Sequence, residues 1–317
     1  MSSSRPHTRS LKRLFQKCLE GRGLNLKIGI FTRNEHSWCS RKLREEIIKA
    51  GHEPFPLKFN RVRINIGIKP SISYDGLDLV NELSIALVRP LGRCSVDECF
   101  FRVDLLHKLE RMGLPVVNRP LAIERCMNKF TCLALLEESG LPVPKTVVTE
   151  NPLEALKAFQ EMGCDAVVKP LFGSRGFGIS RLRDEDVAKR VFSDLHFMRH
   201  ILYVQEFIPH GGRDIRLFVV GDELVAAMQR VSSYWKTNIS LGAKPTPLAP
   251  SEDLVDLALR ACRVLGCEIA GVDVIESPSG YMVTEVNSQP GWMGLQAVTK
   301  VNIAAKVVRY LVSKAKR

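Results

Sequence analysis

The 317-residue chain is 45% apolar and 25% charged, with a formal net charge of +12. This mixture supplies apolar surface for two or three packed units and excludes a disordered chain. No apolar run approaches the ~20 residues of a membrane span, and the N-terminus lacks the apolar core of a secretory signal. The nine cysteines form no CxxC pair, which argues against zinc knuckles and redox motifs and fits reduced thiols in a cytoplasmic protein. The positive charge sits at the ends: residues 1–26 hold six basic side chains against Glu20, and six more follow Glu285 with no acid. The nearly balanced body has no Lys/Arg run interleaved with aromatics, so neither nucleic acid nor a membrane is expected as a partner.

Residues 1–25 read as a basic, disordered extension with a short stripe at Leu11, Leu14, Phe15 and Leu19. Leu26–Arg33 has the composition of a buried strand, after which Ser40 is expected to cap a helix that Gly51 ends. An irregular stretch runs through Tyr74. Ile85–Arg89 then reads as a strand, Ser95 and Glu98 form a capping box for a helix ending at Gly113, and Pro115–Asn118 returns as a strand. This alternation predicts a small parallel α/β domain over residues 26–118. No GxGxxG follows its first strand, so a dinucleotide site is not expected there.

Pro120 opens a helix that carries Lys129 and is expected to run to Gly140. Asn151 caps the next helix, Gly163 stops it, and residues 165–169 form a strand ending in Lys169. A glycine loop with Gly173, Gly176 and Gly178 follows, then a strand at 179–182. The lysine precedes the glycines and no GK[ST] closes the loop, so this is not a Walker loop. It can act as a lid whose backbone N–H groups meet phosphate oxygens; a plain glycine hairpin is the competing reading. Tyr203–Ile208 is a strand whose Glu206 and Phe207 could border an adenine, or be ordinary core. Asp214–Val220 and Glu223–Val231 pair through Gly221-Asp222, with Asp214 and Arg216 on one face. Residues 232–250 have turn chemistry and an unusual Trp235-Lys236-Thr237-Asn238 centre, as an active-site loop has. Ser251 caps a helix stopped by Gly266, and Asn302–Ala315 closes the chain with Ile303, Val307, Tyr310 and Leu311 inward.

The most informative stretch is Gly271–Gly291. Two β-branched runs flank Ser277-Pro278-Ser279-Gly280, which predicts an antiparallel hairpin. Glu285 and Asn287 share a face because side chains alternate along a strand, and Asp273 lies on the partner strand. Together they offer two carboxylates and an amide oxygen, a hard set suited to Mg²⁺. A polar wet face on a surface hairpin is the plainer reading. Against it, Val272, Val274 and Ile275 place Asp273 in a largely buried strand, where an unpaired charge costs several kcal/mol that a cation would remove.

The order of these parts is Lys129, Lys169 before the glycine loop, the VQEFI strand, Asp214-Ile215-Arg216, Asp273, and Glu285-Val286-Asn287. It resembles the RimK-type ATP-grasp ligases from about Lys27 to the C-terminus. The resemblance implies an α/β fold of the α+β ATP-grasp kind. The small parallel domain would precede a lid subdomain at 119–207 and a large subdomain at 208–317, with ATP between the last two. It further implies that Lys129, Lys169, Glu206, Phe207, Asp214, Lys236, Thr237 and Asn238 bind ATP. Asp273, Glu285 and Asn287 would hold two Mg²⁺, with Mn²⁺ able to substitute, and Arg216 and Arg230 would act as catalytic cations. Lys236 departs from the bidentate arginine of some relatives, and Leu241 from a basic residue. The implied reaction joins L-glutamate to an acceptor carboxylate through an acyl phosphate, releasing ADP. The 205–216 and 235–240 segments look most like members that glutamylate tetrahydromethanopterin, which implies a small anionic acceptor. A protein C-terminus as acceptor and a catalytically silent nucleotide-binding protein are the alternatives, and a homo-oligomer is compatible with all of them.

Overall fold

Parallel strands β1 (Lys27–Phe31), β2 (Glu53–Leu57), β6 (Ile85–Val88) and β7 (Val116–Val117) form the first sheet, in the order β2-β1-β6-β7. The computed structural model describes residues 25–173 and 176–316; the extension through residue 24, with its apolar stripe, and loop residues 174–175 lie outside the described residues. Helix α1 (Trp38–Lys49) is capped three residues before the expected Ser40, because the Ser37 hydroxyl accepts from the Ser40 N–H. Ser40 is therefore buried in the first turn rather than capping. The stretch read as irregular contains a small antiparallel sheet, β3 (Val62–Ile64), β4 (Ile72–Tyr74) and β5 (Leu77–Asp78), followed by the single turn α2 (Leu79–Glu82). Those strands have two or three residues each, too few for alternation to register. Helix α3 (Val96–Arg111) carries the reciprocal Ser95/Glu98 capping box.

The helix expected from Pro120 to Gly140 is two. The Asn128 carboxamide accepts from the N–H groups of Phe130 and Thr131, which ends α4 (Pro120–Met127) and starts α5 (Lys129–Glu138) with Lys129 as its first residue. Ala122, Cys132 and Leu136 of this pair share a core with the helix of the large sheet described below. Ile123 of α4 lies instead in the core of the first domain, with Leu105, Leu109 and Val116, so this pair, which the sequence reading assigns to the lid, touches both neighbouring cores.

The lid sheet is antiparallel, from β8 (Thr146–Thr149), β9 (Ala166–Lys169), β10 (Ser180–Leu182) and β11 (Leu202–Glu206) in the order β10-β9-β11-β8. Helices α6 (Pro152–Glu161) and α7 (Glu185–Phe197) cover one face around Phe159, Phe192, Val168 and Val204. Helix α7 went unread in the sequence, although Asp184 caps it and Ala188 and Phe192 repeat at helical spacing. Alternation puts Lys169 and Gln205 on the uncovered face.

The large sheet comprises β12 (Arg213–Val220), β13 (Glu223–Val231), β14 (Lys244–Pro247), β15 (Ile269–Ser277) and β16 (Gly280–Asn287), ordered β14-β13-β12-β15-β16 and antiparallel throughout. Helix α8 (Glu252–Leu265), between β14 and β15, packs Leu254, Leu257, Ala258 and Ala261 against Ile215, Leu217, Val272 and Val286 on one face. The short α9 (Met293–Gln296) and closing α10 (Ile303–Lys314) follow β16. On the opposite face Phe218, Val220 and Met228 meet Ile303, Val307 and Leu311 of α10, which also touch Ile28, Ile30, Leu43 and Ile47. The first domain and the large sheet therefore share one core. Buried Asn118 joins them: its Oδ1 accepts from the N–H groups of Glu268 and Ile269 at 2.7 and 2.8 Å, and its Nδ2 donates to Ile269 O at 2.7 Å.

Candidate active site

The site is assembled on the end of the large sheet that α10 leaves uncovered, and register decides which side chains reach it. Asp273 pairs with Glu285, Gly271 with Asn287, Arg216 with Asp273 and Asp214 with Arg230. These polar side chains therefore share one face. The turn at Pro278-Ser279 holds two residues, since Ser277 pairs with Gly280. An unbroken ladder from it would place Thr284 opposite Asp273 and turn Glu285 toward α8. A bulge between Asp273 and Val274 leaves Thr284 as the extra residue, and its hydroxyl donates to Asp273 O at 3.2 Å. The bulge is what brings the two carboxylates together.

Asp273 is 6% exposed, and its charge is already compensated. Its Oδ2 accepts from Arg216 Nη2 at 2.8 Å, and Oδ1 lies 2.5 Å from Arg216 Nε and 3.1 Å from Arg230 Nη2. Oδ1 and Arg216 Nε make an ion pair but are out of line for a hydrogen bond. Arg230 also chelates Asp214, with Nε to Oδ1 at 2.6 Å and a second bond from Nη2 to Oδ2. The expected need for a metal cation to neutralise buried Asp273 does not arise in the structure, because two guanidiniums already do so. Burial opposes the charge on Arg230, yet Asp273 and Asp214 hold it above the ordinary arginine range. Gly271 is what admits Arg216: a Cβ there would lie 2.3 Å from Arg216 Nη1.

Glu285 and Asn287 are half-buried, and their side chains make no hydrogen bond among the described residues. They leave oxygen donors available on one face, next to an Asp273 Oδ1 that is buried between the two guanidiniums. Across the cleft, Lys169 Nζ donates to Gln205 Oε1 at 2.6 Å. Burial pushes the Lys169 ammonium down to about 8; Glu285 and Asp273 oppose that shift and Lys129 adds to it. Lys129 Nζ donates to Gly173 O at 2.7 Å, which ties the start of α5 to the glycine loop. The 232–242 segment reaches the same loop. Lys236 Nζ donates to Ile179 O at 2.6 Å, and a Cβ on Gly176 would meet Asn238 Oδ1 at 2.4 Å. Positive φ at Gly173, Gly176 and Gly178 is what lets the loop turn here. Thr237 is buried beside Asp214.

Glu206 and Phe207 are more occupied than the sequence suggests. Glu206 Oε1 accepts from Lys145 N at 2.8 Å, and the N–H groups of Glu206 and Phe207 donate to Lys145 O and Asp165 O. The Arg181 guanidinium, held by Asp165 at 2.6 Å, lies 3.2 Å from the Phe207 ring centroid, and Trp235 meets that ring edge-on at 6.1 Å. Sequence reasoning missed Arg181, Gln205 and Gly271. Each becomes visible only when pairing shows what stands beside it.

Comparison with known proteins adds two family matches, a RimK PreATP-grasp domain over residues 26–123 and a RimK-like ATP-grasp domain over 126–311. The chain is 41% identical over 244 residues to a tetrahydromethanopterin:α-L-glutamate ligase of Methanocaldococcus jannaschii, covering 75% of this chain and 82% of that one. It is 31% identical over 319 residues to the protein of the same name from Methanosarcina acetivorans, covering 90% and 98%. Among solved structures, the ATP-grasp ligase PsnB complexed with minimal precursor, Mg and ADP superimposes with a TM-score of 0.72 at 22% identity, over 92% of this chain and 99% of that one.

Proposed function

Because this chain belongs to the RimK-like ATP-grasp family and is an ATP-dependent carbon–nitrogen ligase, we propose that it joins L-glutamate to the free carboxylate of a small anionic acceptor, tetrahydromethanopterin. The observation that carries the reading is one polar sheet face, with Asp273, Glu285 and Asn287 together, lying opposite a lid lysine held at about 8. Relatives named for that reaction align over most of the chain.

In this reading the acceptor carboxylate attacks the γ-phosphate of ATP, giving an acyl phosphate and ADP, and the glutamate amine then displaces phosphate to leave an amide. Lys129 and Lys169 neutralise phosphate charge from the lid side, and the glycine loop shields the acyl phosphate from water. Thr237, Asn238 and Lys236 fix the nucleotide against that loop, while Glu206 and Phe207 border the base. Arg216 and Arg230 orient the Asp273 carboxylate and lend a preorganised positive field to the transferring phosphoryl group. Asp273, Glu285 and Asn287 fit Mg²⁺ because all their available donors are hard oxygens, and the ion, when bound, supplies neutralisation of phosphate charge.

The test is ADP release by the purified protein over a panel of amino acids and acceptors. Release that requires both tetrahydromethanopterin and L-glutamate supports the proposal. Equal use of aspartate, or glutamylation of a protein C-terminus in place of the pterin, overturns the substrate assignment.

A further inference from the structure

The first sheet reverses direction between β1 and β6, since the chain passes from β1 outward to β2 and returns to β6 on the other side. The crevice beyond the carboxyl ends of such neighbouring strands is where open parallel sheets take ligands. Here that crevice abuts the segment just after Asn287. Arg89, immediately after β6, is 7% exposed, and among the described residues no carboxylate lies within ion-pairing distance of it. Its Nη1 donates to Pro290 O at 2.8 Å, and its guanidinium lies 4.7 Å from the centre of the Trp292 ring. Gln289 reaches back, its Oε1 accepting from Leu91 N at 3.3 Å.

Two further donors in this seam have no partner among the described residues. Gln289 Nε2 and Trp292 Nε1 are both buried without a hydrogen bond, and Trp292 is 1% exposed. The seam between residues 89–91 and 289–292 thus holds a buried guanidinium and two orphaned N–H donors, with no side-chain anion among the described residues to meet them. A buried cation without a counter-charge is unfavourable, and so are orphaned donors. Burial accordingly lowers the Arg89 pKa from the ordinary arginine value. Arg33 lies at the rim: a Cβ on Gly92 would fall within its side chain.

We propose that Arg89, Gln289 and Trp292 form a carboxylate-binding subsite for the amine-donating amino acid. The proposal rests on the ligase reading above and names the site of its second substrate. The acceptor's reacting carboxylate must lie at the phosphoryl group, beside Glu285 and Asn287. A carboxylate clamped by a buried arginine is instead a spectator, which stays ionised through the reaction as those of the donor do. Gln289 follows Asn287 by two residues, at most ~7 Å of chain, so a donor held here keeps its amine within reach of the acyl phosphate.

Gln289→Glu separates this role from a purely structural one. The substituted carboxylate keeps the acceptor for Leu91 N and gives Arg89 a counter-charge, so the fold is retained or stabilised while the subsite becomes self-filled. The expected result is a rise of 10²-fold or more in KM for L-glutamate, unchanged KM for ATP and acceptor, and an unfolding temperature no lower than wild type. Arg89→Lys, which keeps the charge and loses the fork, should raise the same KM by a smaller factor. A Gln289→Glu enzyme with wild-type KM for glutamate overturns the subsite, and so does a rise confined to KM for the acceptor. Thermal shifts without ATP, using L-glutamate and glutarate, cover the case in which the wild type does not ligate glutamate. Stabilisation of wild type by either compound, abolished in Gln289→Glu, supports a carboxylate site even if the ligase reading fails, and no stabilisation of wild type there overturns it.

Discussion

Removing the Arg230 guanidinium tests the electrostatic account of the large sheet most directly. Arg230 is 5% exposed and is shared by Asp214 and Asp273, themselves 8% and 6% exposed. In Arg230→Leu, Asp273 keeps Arg216, but Asp214 is left buried without a cation. Breaking a buried pair from one side costs about 3–5 kcal/mol, because the remaining charge keeps its desolvation penalty and loses its partner. The assay is chemical denaturation of both proteins across pH. Burial pushes the Asp214 carboxyl up, and without Arg230 only the Thr237 side chain opposes that shift, while the neighbouring Asp273 charge adds to it. A carboxyl whose folded pKa exceeds its unfolded value stabilises fully below the unfolded value and loses that contribution as pH rises through the folded one. The deficit should therefore be largest at neutral pH and above, and shrink as pH falls toward about 4. Adding Asp214→Leu should recover most of the loss, since replacing a whole buried pair by apolar side chains is often neutral. A single variant within about 1 kcal/mol of wild type at pH 7, or a double variant less stable than the single, would refute the reasoning.

Lys169 predicts a pH effect on nucleotide binding. It is charged below about 8, so KM for ATP should rise as pH passes through that value, and Lys169→Arg, measured alongside, should lack the rise. Its depressed folded pKa also means the buried ammonium costs stability below about 8, a cost relieved as pH climbs toward the unfolded value near 10.4; ligand-free denaturation of Lys169→Met should lack that dependence. Glu285→Ala should lower ADP formation at saturating ATP by ~10²-fold or more while circular dichroism stays unchanged, and wild-type turnover in that variant would remove Glu285 from the site.

What could be read from the sequence follows the range of the interaction concerned. The Ser95/Glu98 box, the Asn151 and Ser251 caps and the 269–287 hairpin are local, set within a few residues, and the structure contains each of them. The break at Asn128 is also local, but Asn inside an apolar-periodic run reads as a tolerated surface residue until its side chain is seen capping. The β3–β5 sheet is too short to carry a period. The pairing of Asp273 with Glu285 needed a bulge that no residue type announces. The two arginines on Asp273 follow from cross-strand register between β12, β13 and β15, which residue spacing along one strand does not contain. The sequence therefore showed an oxygen set on one face and missed what already neutralises part of it.

That correction separates the cations of the cleft by availability. Arg230 has more carboxylate around it than one charge requires, and its pKa is driven up; Lys169 has less, and its pKa is driven down. Environments that push groups apart in this way mark different tasks. An over-compensated guanidinium cannot leave its carboxylates without exposing them to a dry interior, which holds Arg230 in place on the sheet. An under-compensated ammonium gains from any anion brought near it. In the ligase reading proposed above, the lid would present to the cleft a cation whose missing counter-charge a polyphosphate can supply, and closing the lid over that anion would return to Lys169 the stabilisation that burial removed.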